Sequence, residues 1–124
     1  MNIDPYAAEP AVATAGEPLI AGVAPAVADD VAAAIRTIYD PEIPVNIYDL
    51  GLIYGLDVNA DDGSVSVAMT LTAPSCPVAG ALPQQVADMI ATVPGVGTVQ
   101  VALVWEPPWT MDKMTEDARL ALNV

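Results

Sequence analysis

Between Ser64 and Thr72 the chain alternates without a break. Val65, Val67, Met69 and Leu71 fall on one side of an extended backbone, and Ser66, Ala68, Thr70 and Thr72 on the other. Successive strand side chains point to opposite faces, so this run predicts a strand with one buried face. Asp61-Asp62-Gly63 immediately before it is a hairpin signal, and Leu52 to Asn59 is the expected partner strand. Gly97 to Trp105 predicts a third strand. Helical spacing marks two other segments. Val31, Ile35 and Ile38 share one apolar face, Asp29 or Asp30 can cap that helix, and Asp40-Pro41 is expected to end it, because a residue before proline is pushed out of the helical region. Val78, Leu82, Val86, Met89 and Val93 line a second helix that Pro94-Gly95 stops. Pro83 leaves two starts open for it: at Pro77 with a bend, or near Leu82 with Pro83 in the first turn. From Thr115 a short final helix is expected, with Glu116 and Asp117 in its first turn and Arg119 later.

The resulting order is α-β-β-α-β-α. The two strands joined by a hairpin are antiparallel, and the helix between the second and third strands implies a crossover. The expected fold is a small α/β (α+β two-layer) domain over residues 29–124, with a three-stranded mixed sheet and helices on one face. Its other face is expected to be only partly covered, which favours a dimer or a partner. Glu42 to Asn46 contains Pro44 and reads as an irregular loop, and Ile47 to Leu50 as a short turn closed by Gly51. Residues 1–28 differ in character: Pro5, Pro10, Pro18 and Pro25 interrupt an alanine-rich, acidic stretch with no persistent period. That segment reads as a flexible tail.

Composition narrows the functional classes. A chain of 124 residues with 54% hydrophobic positions supports one domain with a real core. Sixteen acidic residues against three basic ones give a formal charge of −13. Such a surface repels phosphate backbones and anionic lipid, which argues against nucleic acid and membrane surfaces as partners, and it suits a basic protein. Without histidine there is no Ser-His-Asp or Cys-His unit and no imidazole metal ligand in the chain. Lys113, the only lysine, follows no glycine-rich loop, which removes a phosphate-binding loop of the Walker type. The single cysteine, Cys76, removes an internal disulfide and a CxxC motif. No charged leader or membrane-length apolar run is legible, so a reducing cytoplasm is the expected location.

Few residues remain that could carry chemistry. Asp40-Pro41-Glu42 follows the first helix, and Thr70 to Pro77 runs from a strand end toward the second. If Pro77 opens that helix, Cys76 stands where unpaired backbone N–H groups stabilise a thiolate; otherwise it is a small apolar filler. Asp40 and Glu42 can act as a carboxylate pair, or Asp40 can cap the helix end while Glu42 is solvated. Thr72 is either a hydroxyl donor in a cleft or an ordinary strand-edge threonine. Trp105 and Trp109, around Pro107-Pro108, read as a packing clamp or as a partner anchor.

Taken together, three ordered blocks resemble one family. Asp40-Pro41-Glu42-Ile43-Pro44-Val45-Asn46-Ile47-Tyr48-Asp49-Leu50-Gly51-Leu52-Ile53-Tyr54 looks like the signature of the iron–sulfur assembly family that includes SufT. Thr70 to Pro77 is similar to its cysteine motif, and Pro107-Pro108-Trp109-Thr110 with Met114 to its C-terminal block. Cys76 to Gly80 and Pro83 resemble the SufT branch in particular, and Glu106 stands where the family often has aspartate. The resemblance covers residues 29–122. It implies a small α/β domain and an accessory, non-enzymatic role in maturing iron–sulfur proteins. It also implies that Cys76 is a cluster or transfer ligand, that Asp40 and Glu42 shape the mouth of a cleft, and that Thr72 lies in it. The implied partners are iron–sulfur assembly proteins and client apoproteins, and the implied cargo is a transient iron–sulfur cluster. Such a cluster usually takes four ligands, mostly thiolates. One Cys76 per chain supplies two in a homodimer, so glutathione, Asp40 or a partner cysteine must complete the shell. The alternative is an adaptor that docks the assembly machinery onto clients without binding iron. A small thiol enzyme is a third reading, and it lacks a visible base.

Overall fold

A computed structural model describes residues 12–40, 43–72 and 82–123. Its elements run β1 (Val12–Ala15), α1 (Ala28–Ile35), β2 (Ile53–Val58), β3 (Val65–Met69), α2 (Leu82–Ala91), β4 (Val99–Leu103) and α3 (Glu116–Leu122), with a 3-10 turn at Met111–Lys113 before α3. The mixed α+β architecture and the order from α1 to α3 are those expected.

The sheet has four strands rather than three, in the order β1-β4-β3-β2. The additional strand, β1, comes from the stretch read as a tail. It pairs antiparallel with β4, with Ala13 opposite Val101. Gln84 on α2 also donates through Nε2 to the Thr14 carbonyl at 3.0 Å. A four-residue, alanine-rich strand has little propensity of its own; pairing with β4 and packing under α2 hold it in place. The stretch after β1 runs along two turns: at the α2–β4 turn the Ala26 N–H donates to the Gly95 carbonyl at 2.8 Å, and at the β2–β3 turn Leu19 lies against Gly63. A side chain at Gly63 would run into Leu19.

β2 and β3 form the expected antiparallel hairpin, with a register shift between Ile53 and Gly55. β3 and β4 are parallel, joined through α2. Val65, Val67 and Met69 on β3 and Val99 and Val101 on β4 are buried, while Ser66 and Gln100 on the reverse face are exposed. α2 packs on β1 and β4, and α1 on α2 and β2. Leu82, Val86 and Ile90 of α2 are sealed from solvent, each burial contributing roughly 2 kcal/mol. Pro83 stands in the first turn of α2, where its missing N–H costs no helical bond. Val78, expected on the same face, lies outside the described residues.

Two helix ends differ from expectation. At the start of α1, Val27 is the cap residue and makes no side-chain cap bond, while Asp29 and Asp30 fall in the first turn. There they favour the helix through its positive end. The helix also stops at Ile35, well before Asp40-Pro41. Thr37 turns back instead, its hydroxyl donating to the Ala34 carbonyl at 2.6 Å, and the Ile38 N–H bonds Ile35 three residues back. These tighter bonds break the helical ladder. At α3, Thr115 is the cap, its hydroxyl accepting from the Ala118 N–H at 3.2 Å.

Candidate functional site

The segment from Asn46 to Leu52 is a hub at one end of the sheet. The Asn46 side chain starts its turn. Its Oδ1 accepts from the Asp49 N–H at 2.9 Å and its Nδ2 donates to Asp49 Oδ2 at 2.8 Å. Ile47, Leu50 and Leu52 are completely buried and fix the turn against the core. Gly51 closes it with φ of +82°. A side chain there would collide with the Lys113 backbone carbonyl, so only glycine fits.

Other segments hang on this hub through backbone bonds. The Ile47 N–H donates to the Ile38 carbonyl at 2.9 Å, Leu52 to Ile47 at 3.2 Å, and Thr70 to Leu52 at 2.9 Å. From the C-terminal side, Trp109 Nε1 donates to the Leu50 carbonyl at 2.7 Å, and the Thr115 N–H to Asp49 at 2.8 Å. The Tyr54 hydroxyl donates to the Pro107 carbonyl at 2.6 Å. The loop that carries Asp40 and the approach through Thr70 to Thr72 thus meet at the carboxyl end of β3. The described parts of the three blocks of the sequence resemblance converge there.

The expected site residues have different fates. Asp40 is buried at 7% exposure. It does not cap α1: its Oδ1 accepts from the Ile43 N–H at 2.9 Å and its own N–H donates to Val45, so it organises the loop beyond Pro41. Thr72 is partly buried just past the strand end. Glu42 and Cys76 lie outside the described residues. The two tryptophans divide: Trp109 clamps the hub, whereas Trp105 is 42% exposed and is no part of that clamp.

Thr70 belongs to the stretch that runs toward Cys76, but its sequence pattern gives it no role beyond a place on the polar face. It is 1% exposed, and its Oγ1 has no hydrogen-bond partner. Leaving a buried hydroxyl unpaired costs about 1–3 kcal/mol. Alternation alone gives no warning of this, since it assigns Thr70 to the face opposite Met69 and says nothing of what covers that face.

The domain's few cations, though partly exposed, are engaged by its own groups. Arg36 lies 4.3 Å from the Tyr48 ring centre, with its Nε 3.9 Å from Asp49 Oδ1. Arg119 contacts both the carbonyl and the carboxylate of Asp112, and Lys113 sits 5.1 Å over the Tyr54 ring. All three basic residues of the chain are thereby engaged within it. Burial, with the Glu106 charge adding to it, pushes the Tyr54 hydroxyl above its ordinary pKa. An open groove of about 680 Å³ runs along this end, lined by Ile53, Tyr54, Ala68, Val104, Pro107 and Lys113 among others. Among the described residues no three Asp, Glu or Cys side chains gather as a metal nest. None of the described helices is long and apolar enough to cross a membrane.

Comparison with known proteins gives this arrangement relatives. A family model described as "Iron-sulfur cluster assembly protein" matches residues 28–101. An "Fe-S protein maturation auxiliary factor" of Porphyromonas gingivalis is 52% identical over 95 residues, covering 77% of this chain and 90% of that protein. The "Fe-S protein maturation auxiliary factor SufT" of Staphylococcus aureus is 40% identical, covering 70% of this chain and 98% of that one. Among solved structures, a domain of unknown function (DUF59) from Bacillus anthracis superposes with a TM-score of 0.72 at 33% identity, covering 78% of this chain and 92% of the other.

Proposed function

Because the chain belongs to the iron–sulfur cluster assembly protein family, we propose that it is an accessory factor in iron–sulfur protein maturation that handles a cluster transiently through Cys76. One observation carries the reading: relatives named as maturation auxiliary factors match this chain over nine-tenths or more of their own length. The match is therefore to whole proteins of this type rather than to a shared fragment.

In this reading the cluster is cargo. Cys76 supplies one thiolate per chain, and two chains or an outside thiol complete the shell. Asp40 and Glu42 shape the mouth of the cleft and Thr72 lies in it. The formal charge of −13 works against a thiolate-ligated, anionic cluster, which favours holding cargo briefly over storing it. The same charge suits docking to basic surfaces of assembly proteins and client apoproteins. No bond-making step is assigned to the chain, so it acts as a carrier and not as an enzyme, in a reducing cytoplasm where its thiol stays free.

The test is anaerobic reconstitution of the purified protein with ferrous iron and sulfide, beside Cys76→Ala. We expect visible absorption with bound iron and sulfide in the wild type and their loss in the variant, with both proteins folded. Equal and negligible loading would contradict cluster handling and leave an adaptor that docks machinery onto clients.

A further inference from the structure

The Thr70 hydroxyl is the feature of the site end that the structure leaves unexplained. Oγ1 is the one buried side-chain nitrogen or oxygen among the described residues that has no hydrogen-bond partner. Valine has nearly the same shape and would leave no donor unpaired, so packing gives no reason for a hydroxyl here. The backbone at this residue is well anchored, its N–H bonded to the Leu52 carbonyl at 2.9 Å. The side chain therefore hangs from a rigid support.

Its position points to what the donor is for. Thr70 directly follows Met69, the last residue of β3, and alternation puts it on the side that carries Ala68, which lines the open groove. Two further backbone bonds, Leu52 to Ile47 and Ile47 to Ile38, lead from it to the loop of Asp40. The chain then continues through Thr72 toward Cys76. A hydroxyl without a partner, fixed at the junction of these segments, is preorganised to meet an acceptor that arrives with cargo.

We propose that Thr70 is a positioning residue whose hydroxyl donates a hydrogen bond to an anionic sulfur, cluster sulfide or ligating thiolate, when the cluster is held at this end of the sheet. The proposal rests on the cluster-handling reading above. Hydrogen bonds to sulfur are among the factors that tune a cluster's potential and stability. The hydroxyl stays unpaired in the empty protein and gains its partner on loading, so the empty form is less stable than it could be and the loaded form is favoured.

Thr70→Val and Thr70→Ser separate the roles. The full-length wild type, both variants and Cys76→Ala are melted without metal, then loaded anaerobically with ferrous iron and sulfide. Release of iron to a chelator and the Fe–S stretching bands in resonance Raman spectra are then followed. Empty Thr70→Val is expected to melt at or above the wild-type temperature. Once loaded, it should release iron faster by about tenfold, the scale of one charge-assisted hydrogen bond. Its Fe–S bands should shift as well, and Thr70→Ser should restore both. If empty Thr70→Val melts clearly below the wild type, the hydroxyl already has a partner such as a buried water, and the proposal fails. It also fails if loaded wild type and Thr70→Val are indistinguishable. Wild type that loads no better than Cys76→Ala contradicts the cluster reading itself and removes this role with it.

Discussion

At the hairpin end of the sheet, Asn59 Oδ1 accepts from the N–H groups of Asp61 and Asp62, and Asp62 Oδ1 accepts from Ser64 at 2.9 Å. These polar side chains are exposed or nearly so, and they find their partners within a few residues. At the other end, Asp40 and Thr70 are buried, and their segments are held by bonds that span long stretches of sequence. The hydroxyl of Thr70 is left over. The grooves differ too, at about 310 Å³ beside the hairpin and about 680 Å³ at the opposite end. The hairpin end satisfies its polar side chains locally, and its backbone is tied to the start of β4, where the Gly97 N–H donates to the Gly63 carbonyl at 2.8 Å. The carboxyl end of β3 carries an unmet hydrogen bond, a burden that a purely structural region has no reason to keep.

The largest predicted effect breaks the site end directly. Gly51→Ala forces a left-handed backbone on alanine and drives its side chain into the Lys113 carbonyl. We expect a loss of roughly 3 kcal/mol in urea melts. Tryptophan emission should also shift to the red as Trp109 leaves Leu50; unchanged emission would mean that the C-terminal segment does not depend on the hub.

A smaller effect separates the two tryptophans. Trp109→Phe removes the donor to Leu50 and should cost about 1–2 kcal/mol. Trp105→Phe, at a half-exposed position, should stay within about 0.5 kcal/mol of wild type. Equal losses from both would remove the distinction drawn between clamp and surface.

The smallest effect belongs to the hairpin end and is a matter of pH. The backbone N–H and then the hydroxyl of Ser64 hold the Asp62 carboxyl below its ordinary pKa. A depressed carboxyl stabilises the fold above its unfolded value, about 3.9, and that contribution is lost as pH falls through the lower folded value. The stability difference between wild type and Asp62→Ala should therefore shrink on acidification below about pH 4. A difference independent of pH would show that the carboxylate does not take part in the turn.

How much of this was legible in the sequence depends on whether the cause was local. The alternation of Val65 to Leu71, the Asp61-Asp62-Gly63 turn and the short helix from Thr115 are short-range patterns, and each reappears in the structure. β1 was hidden because Val12–Ala15 is extended by pairing with β4, a partner more than eighty residues away. The end of α1 was misplaced because the Thr37 hydroxyl competes with the helix before Pro41 can act. At the site, the local reading left Asp40 as one of a carboxylate pair or as a cap on the helix end; the cap does not form, and its bond to Ile43 makes Asp40 a loop organiser. Thr70 stayed invisible because an unpaired hydroxyl emerges only from three-dimensional hydrogen-bond accounting.

The most direct test of the contrast between the two ends is backbone amide NMR of the protein before and after anaerobic loading with ferrous iron and sulfide. The account predicts shifts or broadening in residues 38–52, 70–72 and 104–110, with Asn59 to Ser64 unmoved. Changes centred on the hairpin turn, or none that separates the two ends, would contradict it.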